Sequence, residues 1–255
     1  MNRRSSELDL EQGRRVFLSA DYHLLPKVEP ESLKDWARGF ERGDVCIFLG
    51  DLYEAWVETH QEGRPGYEAL HGTIREMVDR GVETHLVVGN RDFLAGDACH
   101  QATGMIIHHG PLLIRSGGAS LALFHGDELL PDDVGYLRYK AIVRNPLVLA
   151  LLKKLPLSLL MTLAEGTRSR SKAKLKNLPM DRFTPSIELI RLQLAKWDVK
   201  LAVAGHLHKK IWVEGGGGLG CHVLSSSSEK EIFYRIWKGG ELGDEQAFKP
   251  LVISK

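Results

Sequence analysis

The sequence predicts an α/β fold in which two β-sheets pack on each other and carry helices outside. Three observations predict it. Continuous apolar runs of about five residues recur, as in Val45–Leu49 and Thr84–Val88, and such runs mark strands covered on both faces. Stretches with helical spacing separate those runs in the first half. Beyond about residue 105 the strand-like runs shorten, and Gly117-Gly118 signals a hairpin.

The elements follow in order. Arg15–Ala20 is an apolar strand that breaks into Asp21-Tyr22-His23. Glu31–Arg42 reads as a helix through Leu33, Trp36, Ala37 and Phe40. Val45–Leu49 is a strand ending in Gly50-Asp51, and Tyr67–Arg80 is an amphipathic helix stopped by Gly81. Thr84–Val88 is a strand ending in Gly89-Asn90. Met105–His109, Pro111–Arg115 and Ser120–Phe124 are shorter strands. Residues 134–180 read as helical and irregular, with no strand pattern. Thr184–Trp197 is a helix with Pro185 near its first turn, and Lys200–Ala204 is a strand ending in Gly205-His206. The tail, 209–253, reads as strands broken at 215–218 and at Gly239-Gly240. No repeat appears at a solenoid period. The expectation is one domain over 1–255 with a helical insertion at 134–180.

Composition excludes several classes. Hydrophobic residues make 43% and charged residues 26% of the chain, the balance of a globular protein rather than a disordered, collagenous or polytopic membrane one. A formal net charge of +1 predicts no polyanion partner from global charge. Cys46, Cys99 and Cys221 are scattered and odd in number, which argues against a disulfide framework and for a reducing compartment. The N-terminal stretch has no apolar core of a secretory signal, and no run of about 18 apolar residues could span a bilayer.

Five apolar strands finish in polar clusters: Asp21-Tyr22-His23, Gly50-Asp51, Gly89-Asn90-Arg91-Asp92, His125-Gly126-Asp127 and Gly205-His206-Leu207-His208. Residues just past the carboxyl ends of strands in an open α/β sheet converge on one crevice. Asp21, His23, Asp51, Asn90, His125, His206 and His208 would meet there. That nitrogen and oxygen set, without thiolate, suits Mn²⁺, Fe or Zn²⁺. Seven ligands are too many for one ion and suit two ions bridged by a carboxylate, about 3.5–4 Å apart. Asp92 and Asp127 would orient the neighbouring ligands. His60, His71, His85 and His100 read as surface or cap residues, His108-His109 as a strand-end pair without partners, and Trp56 as an edge of the crevice.

In their order, DYH (21–23), GDLYE (50–54), GNRD (89–92), HGD (125–127) and GHLH (205–208) resemble the signature of the calcineurin-like metallophosphoesterases. The resemblance implies a four-layer αββα sandwich with a helical cap insertion. It implies two divalent metal ions, usually Mn²⁺: Asp21, His23 and His208 on the first, Asn90, His125 and His206 on the second, and Asp51 bridging. Such a pair lowers the pKa of a bridging water towards neutral and offsets charge on the phosphate oxygens. Catalysis would rest on Asp51, Asn90, Arg91 and His125. Arg91 stands where most of the family has His. Arginine cannot release a proton near neutral pH but grips phosphate oxygens through its fork.

GDLYEAW, GNRDF, DDVGY (132–136) and Ser171-Lys172 resemble one branch of that family, which hydrolyses a UDP-linked diacyl sugar in lipid A assembly. The resemblance implies cleavage of a pyrophosphate to UMP and a diacylglucosamine 1-phosphate. Asn90, Arg91, Asp133, Tyr136, Arg168, Ser171 and Lys172 would line the substrate site. Leu207 replaces the usual Thr, and the tail after residue 221 departs from the usual pattern. The same chemistry on another phosphodiester or nucleotide pyrophosphate is the alternative, and a metal-bound interaction module without turnover is another.

The insertion adds a separate signal. Pro146–Leu163 is strongly apolar, and Arg138 to Lys176 carries ten Lys or Arg against Glu165. A basic, greasy segment suits an anionic inner-membrane surface and could shelter acyl chains. The partners expected are therefore a UDP-linked acylated sugar and that membrane surface, from the cytoplasmic side. No nucleic acid is expected, because the basic residues lack interleaved aromatics, and no obligate protein partner is evident.

Overall fold

A computed structural model describes residues 6–56, 64–130, 148 and 185–250. The insertion expected at 134–180 lies outside the described residues, apart from Val148. In chain order the first strands and helices are β1 (Ser6–Asp9), β2 (Val16–Ser19), α1 (Glu31–Ala37), β3 (Val45–Phe48), α2 (Pro65–Asp79), β4 (Glu83–Val87) and α3 (Asp97–Thr103). Then come β5 (Ile106–His108), β6 (Leu112–Ser116), β7 (Ala119–Phe124), α4 (Ile187–Ala195) and β8 (Leu201–Ala204). The chain closes with β9 (Ile211–Gly216), β10 (Leu219–Val223), β11 (Ile232–Lys238), β12 (Glu241–Leu242) and β13 (Gln246–Phe248).

One sheet has the order β12-β11-β2-β3-β4-β5, with β13 also on β11. The other has the order β1-β6-β7-β8-β10-β9. β2, β3, β4 and β5 are mutually parallel, and so are β7 and β8. Alternation along the strands explains the layers. Val16, Leu18, Val45, Ile47, Leu49 and Val87 face Leu112, Ile114, Leu121, Leu123 and Val203 between the sheets. Phe17, Cys46, Phe48 and Leu86 face outwards, onto Leu33, Trp36, Tyr67, Leu70, Ile74 and Met77 of α1 and α2. Leu113, Ala122, Phe124 and Ala202 face the other way, onto Ile190 and Leu194 of α4. The result is a helix–sheet–sheet–helix stack in which the central strands bury both faces. Each fully buried aliphatic side chain there contributes roughly 1.5–3 kcal/mol.

Several elements depart from the sequence reading. The stretch before the first predicted strand holds β1, which pairs in parallel with β6. Its burial alternates along Ser6–Asp9, and its charged residues hide it from an apolar-run criterion. α1 ends at Ala37, not at Arg42, because Arg38 and the Gly39 turn close it, although Phe40 still packs inside. α3 was not foreseen. Pro185 precedes the N-cap of α4 instead of sitting in its first turn; Ser186 is the cap and accepts from the Leu189 N–H.

Two histidines read as peripheral or unpartnered are buried together. His85 on β4 and His108 on β5 are 1% and 7% exposed. Their Nδ1 and Nε2 atoms lie 3.0 Å apart, and His85 Nε2 lies 3.2 Å from Glu83 Oε1. Glu83 also accepts from Arg14 at 2.8 Å. A neutral pair satisfies this chain, with His85 donating to Glu83 and accepting from His108.

Burial lowers the His108 pKa from 6.5 to about 4. The unfolded chain therefore takes up a proton between those values that the folded chain refuses. Stability from this group is complete above pH 6.5 and falls as the pH drops towards 4. Glu83, held down to about 2 by its hydrogen bond to His85 and then by Arg14, adds a loss below pH 4.5 in the same direction. We expect urea-unfolding stability to fall less between pH 7 and pH 5 in His108→Gln than in the parent chain. Equal falls in both would show that His108 carries none of the dependence.

Candidate metal centre

The five polar clusters lie at the carboxyl ends of β2, β3 and β4 in one sheet and β7 and β8 in the other. The two sheet edges face each other, so the clusters meet in one crease. His125 Nδ1–H donates across it to the Leu49 carbonyl at 2.9 Å. The His206 N–H donates to Asp21 Oδ2 at 2.6 Å. All seven residues singled out from the sequence come together. His23 Nε2 and His208 Nε2 are 3.0 Å apart, and His206 Nδ1 and His125 Nε2 are 3.1 Å apart. Asn90 Oδ1 is 2.8 Å from His125 Nε2, Asp51 Oδ1 is 3.7 Å from it, and His208 Nε2 is 3.9 Å from Asp21 Oδ1. Asp21 with His23 and His208, and Asp21 with Asp51 and His125, each bring ligand atoms within 4.8 Å of one another.

The local backbone is strained to achieve this. Asp21, His23, Asp51, His206 and His208 all have positive φ, between 52° and 72°. Among the described residues only Asp198 joins them outside glycine. Such conformations cost free energy and persist where surrounding structure imposes them. Two glycines relieve the crowding. A Cβ on Gly50, whose φ is +83°, would lie 2.3 Å from His125 Nδ1, and one on Gly89 would lie 2.3 Å from Asp51 Oδ1.

The donor chemistry fits a cation. Because His125 Nδ1–H is committed to Leu49, its Nε2 is the ring atom that faces Asn90 and His206 and is left for a cation to take. Asp21 Oδ1 and His23 Nδ1 are buried without a hydrogen-bond partner. Asp21 and Asp51 are 0% and 2% exposed. Burial pushes the Asp21 carboxyl up to about 8, with Asp51 adding to the rise. Burial pulls His125 down, yet Asp51, Asp127 and Asp21 outweigh it and the imidazole rises to about 9. Burial also raises Asp51, but His125, His23 and His206 more than offset it, leaving that carboxyl lowered. The crease therefore calls for positive charge, which protons meet when no metal is bound.

Asp92, also fully buried, clamps two of the loops. Its Oδ1 accepts from the Gly89 N–H at 2.6 Å and its Oδ2 from the Leu52 N–H at 2.9 Å. Burial and then Asp51 raise it to about 6. Arg91 leans on the same centre: its N–H donates to Asp51 Oδ1 at 2.9 Å and its Nε is 3.5 Å from Asp51 Oδ2. Glu54, given no role from the sequence, pairs with Arg91; its place in GDLYE just after Asp51 was the available signal. Trp56, expected at the edge of the crevice, is buried beside the Arg91 segment. It is 2% exposed among Tyr53, Tyr67 and His71, and its N–H donates to the Arg91 carbonyl at 3.0 Å. Asp133, Tyr136, Arg168, Ser171, Lys172 and His60 lie outside the described residues.

No protein-family model matches the chain. A UDP-2,3-diacylglucosamine hydrolase of Pseudomonas entomophila (strain L48) is 37% identical over 204 residues, 76% of this chain and 82% of that protein. One of Salmonella paratyphi C (strain RKS4594) is 32% identical over 193 residues, 74% of this chain and 80% of that protein. Among solved structures, a dimetal phosphatase from Danio rerio aligns over 93% of this chain and 99% of its own, at 14% identity and a TM-score of 0.43.

The clamp makes a direct test. Asp92→Asn keeps the size of the side chain, but an amide accepts at one end only and sets its NH₂ against the other N–H. We expect the variant to lose about 1–3 kcal/mol of urea-unfolding stability at pH 7 and to bind Mn²⁺ more weakly by calorimetry. Parental stability and affinity would mean that the two loops hold their places without Asp92.

Proposed function

The chain belongs to the family of the UDP-2,3-diacylglucosamine hydrolases, and from that premise we propose that it hydrolyses the pyrophosphate of UDP-2,3-diacylglucosamine to UMP and 2,3-diacylglucosamine 1-phosphate. The observation that carries the reading is the crease itself: seven convergent acceptor side chains with the Arg91 guanidinium beside Asp51. In this reading Asp21, His23 and His208 would hold one divalent ion and Asn90, His125 and His206 a second, with Asp51 shared between them. When bound, such ions, two Mn²⁺ in this reading, supply an activated water and offset the charge that develops on phosphate oxygens.

The chain's own groups do the rest. His125 keeps its Nδ1 proton on Leu49, which fixes both its tautomer and its ring orientation. Arg91 receives the pyrophosphate oxygens and holds them over the crease. It donates no proton to the departing group. A phosphate monoester is a good leaving group near neutral pH, so none is needed. Asp133, Tyr136, Arg168, Ser171 and Lys172 complete the substrate site, and the apolar, basic stretch around 134–180 covers the acyl chains and rests on the anionic inner face of a membrane. No helix among the described residues is long and apolar enough to cross a membrane.

Purified protein with Mn²⁺ is expected to release UMP from UDP-2,3-diacylglucosamine, and a chelator to stop it. Asp51→Asn should lower kcat by on the order of 10³-fold. Arg91→Ala should lower kcat/KM by about 10- to 100-fold, and Arg91→Lys should recover only part, since it restores charge without the fork. Micromolar enzyme that releases no UMP yet cleaves a chromogenic phosphodiester would move the substrate elsewhere.

A further inference from the structure

We infer that Glu54 is a positioning residue of this centre, a single carboxylate that aims the Arg91 guanidinium at the phosphates and steadies the His23 imidazole. The inference rests on the role proposed for Arg91. Glu54 follows Asp51 by three residues, in a segment stitched to the one that carries Asp21 and His23. The Glu54 N–H donates to the Leu24 carbonyl at 2.9 Å, and Leu24 and Tyr53 form a parallel bridge. On the other side, the Trp56 N–H donates to the Arg91 carbonyl at 3.0 Å. The backbone thus fixes where the Glu54 side chain starts relative to both residues it serves.

Its carboxylate reaches both. Arg91 Nη1 donates to Glu54 Oε2 at 2.5 Å, with the two side chains 26% and 20% exposed. The same oxygen lies 3.8 Å from His23 Nδ1, an atom buried without a hydrogen-bond partner. Each contact answers a physical need. An arginine at the lip of a polar crease has several rotamers, and a charge-assisted bond selects one. A guanidinium carries five N–H donors, so one directed to Glu54 leaves the fork able to meet an anion. A histidine that ligates through Nε2 must carry its proton on Nδ1, and that proton calls for an acceptor. A shift of about an ångström brings Glu54 to hydrogen-bond distance of it. One group therefore couples the substrate clamp to the cation cage. An incidental surface ion pair would touch Arg91 alone.

The test is a double-mutant cycle on the Mn²⁺-loaded protein with Glu54→Gln, Arg91→Ala and the pair. Steady-state kinetics use UDP-2,3-diacylglucosamine and a chromogenic phosphodiester, and calorimetry reads Mn²⁺ affinity. We expect Glu54→Gln to raise KM for the pyrophosphate about 10-fold with a smaller change in kcat. In the Arg91→Ala background the same change should shift KM less than about 2-fold, because its effect runs through Arg91. Mn²⁺ affinity should fall about 10-fold through His23 in either background. Glu54→Asp keeps the charge but withdraws it by one methylene. It should give an intermediate KM, and it serves for the cycle if Glu54→Gln does not fold. KM effects that multiply independently, or parental KM and Mn²⁺ affinity in both Glu54 variants, would overturn the inference. A parent inert to UDP-2,3-diacylglucosamine would sink the substrate reading instead, and the cycle would then be decided on the phosphodiester and the calorimetry.

Discussion

The structure depends on one constraint: too many lone pairs in one place. Asp21, Asp51, Asn90 and four imidazoles are held so close that their acceptor atoms face each other at about van der Waals contact or less. Two buried polar atoms of that set, Asp21 Oδ1 and His23 Nδ1, stay without a hydrogen-bond partner. Added positive charge, as protons or as a cation, balances the crowd of acceptors. The raised protonation of Asp21 and His125 and the chemistry available to a bound cation are two responses to the same demand.

Such a demand would pull an unsupported site apart. Rigidity comes from below it. The central strands of both sheets bury both of their faces, so their carboxyl ends are fixed to within the tolerance of a packed core. Bonds that cross from sheet to sheet at the top of the stack then lock the loops. His125 to Leu49 and His206 to Asp21 cross between the sheets, and Asp92, already tied to Gly89 in its own loop, joins the β4 loop to Leu52 of the β3 loop. The positive φ angles at Asp21, His23, Asp51, His206 and His208 are the residual strain that this network holds in place.

The sequence made the cage legible because strand ends announce themselves. An apolar run that stops in Gly-Asp or Gly-Asn fixes both where a side chain sits and which way the sheet directs it, and the order of five such ends left little freedom. What stayed hidden obeys no such rule. β1 is a charged edge strand whose place is set by pairing with β6, not by its own pattern. α3 is seven residues with a weak apolar stripe. His85 looked like a polar interruption in a strand, and only the adjacency of β4 and β5 brings it to His108. Glu54 could be read as an ordinary loop acid until the loops after β3 and β4 were seen side by side.

The wiring of the two sheets has a further consequence. β1 leaves the neighbourhood of β2 to pair with β6, while the flank of β2 stays open until β11 arrives, setting Phe17 beside Ile236. Neither sheet closes from local segments. Contact order is high, and loop-closure entropy has to be met before those pairings repay it. Until the distant β11 segment returns, the β2 flank is an unpaired apolar edge, the kind of surface on which chains associate, so recovery on refolding is expected to fall as chain concentration rises.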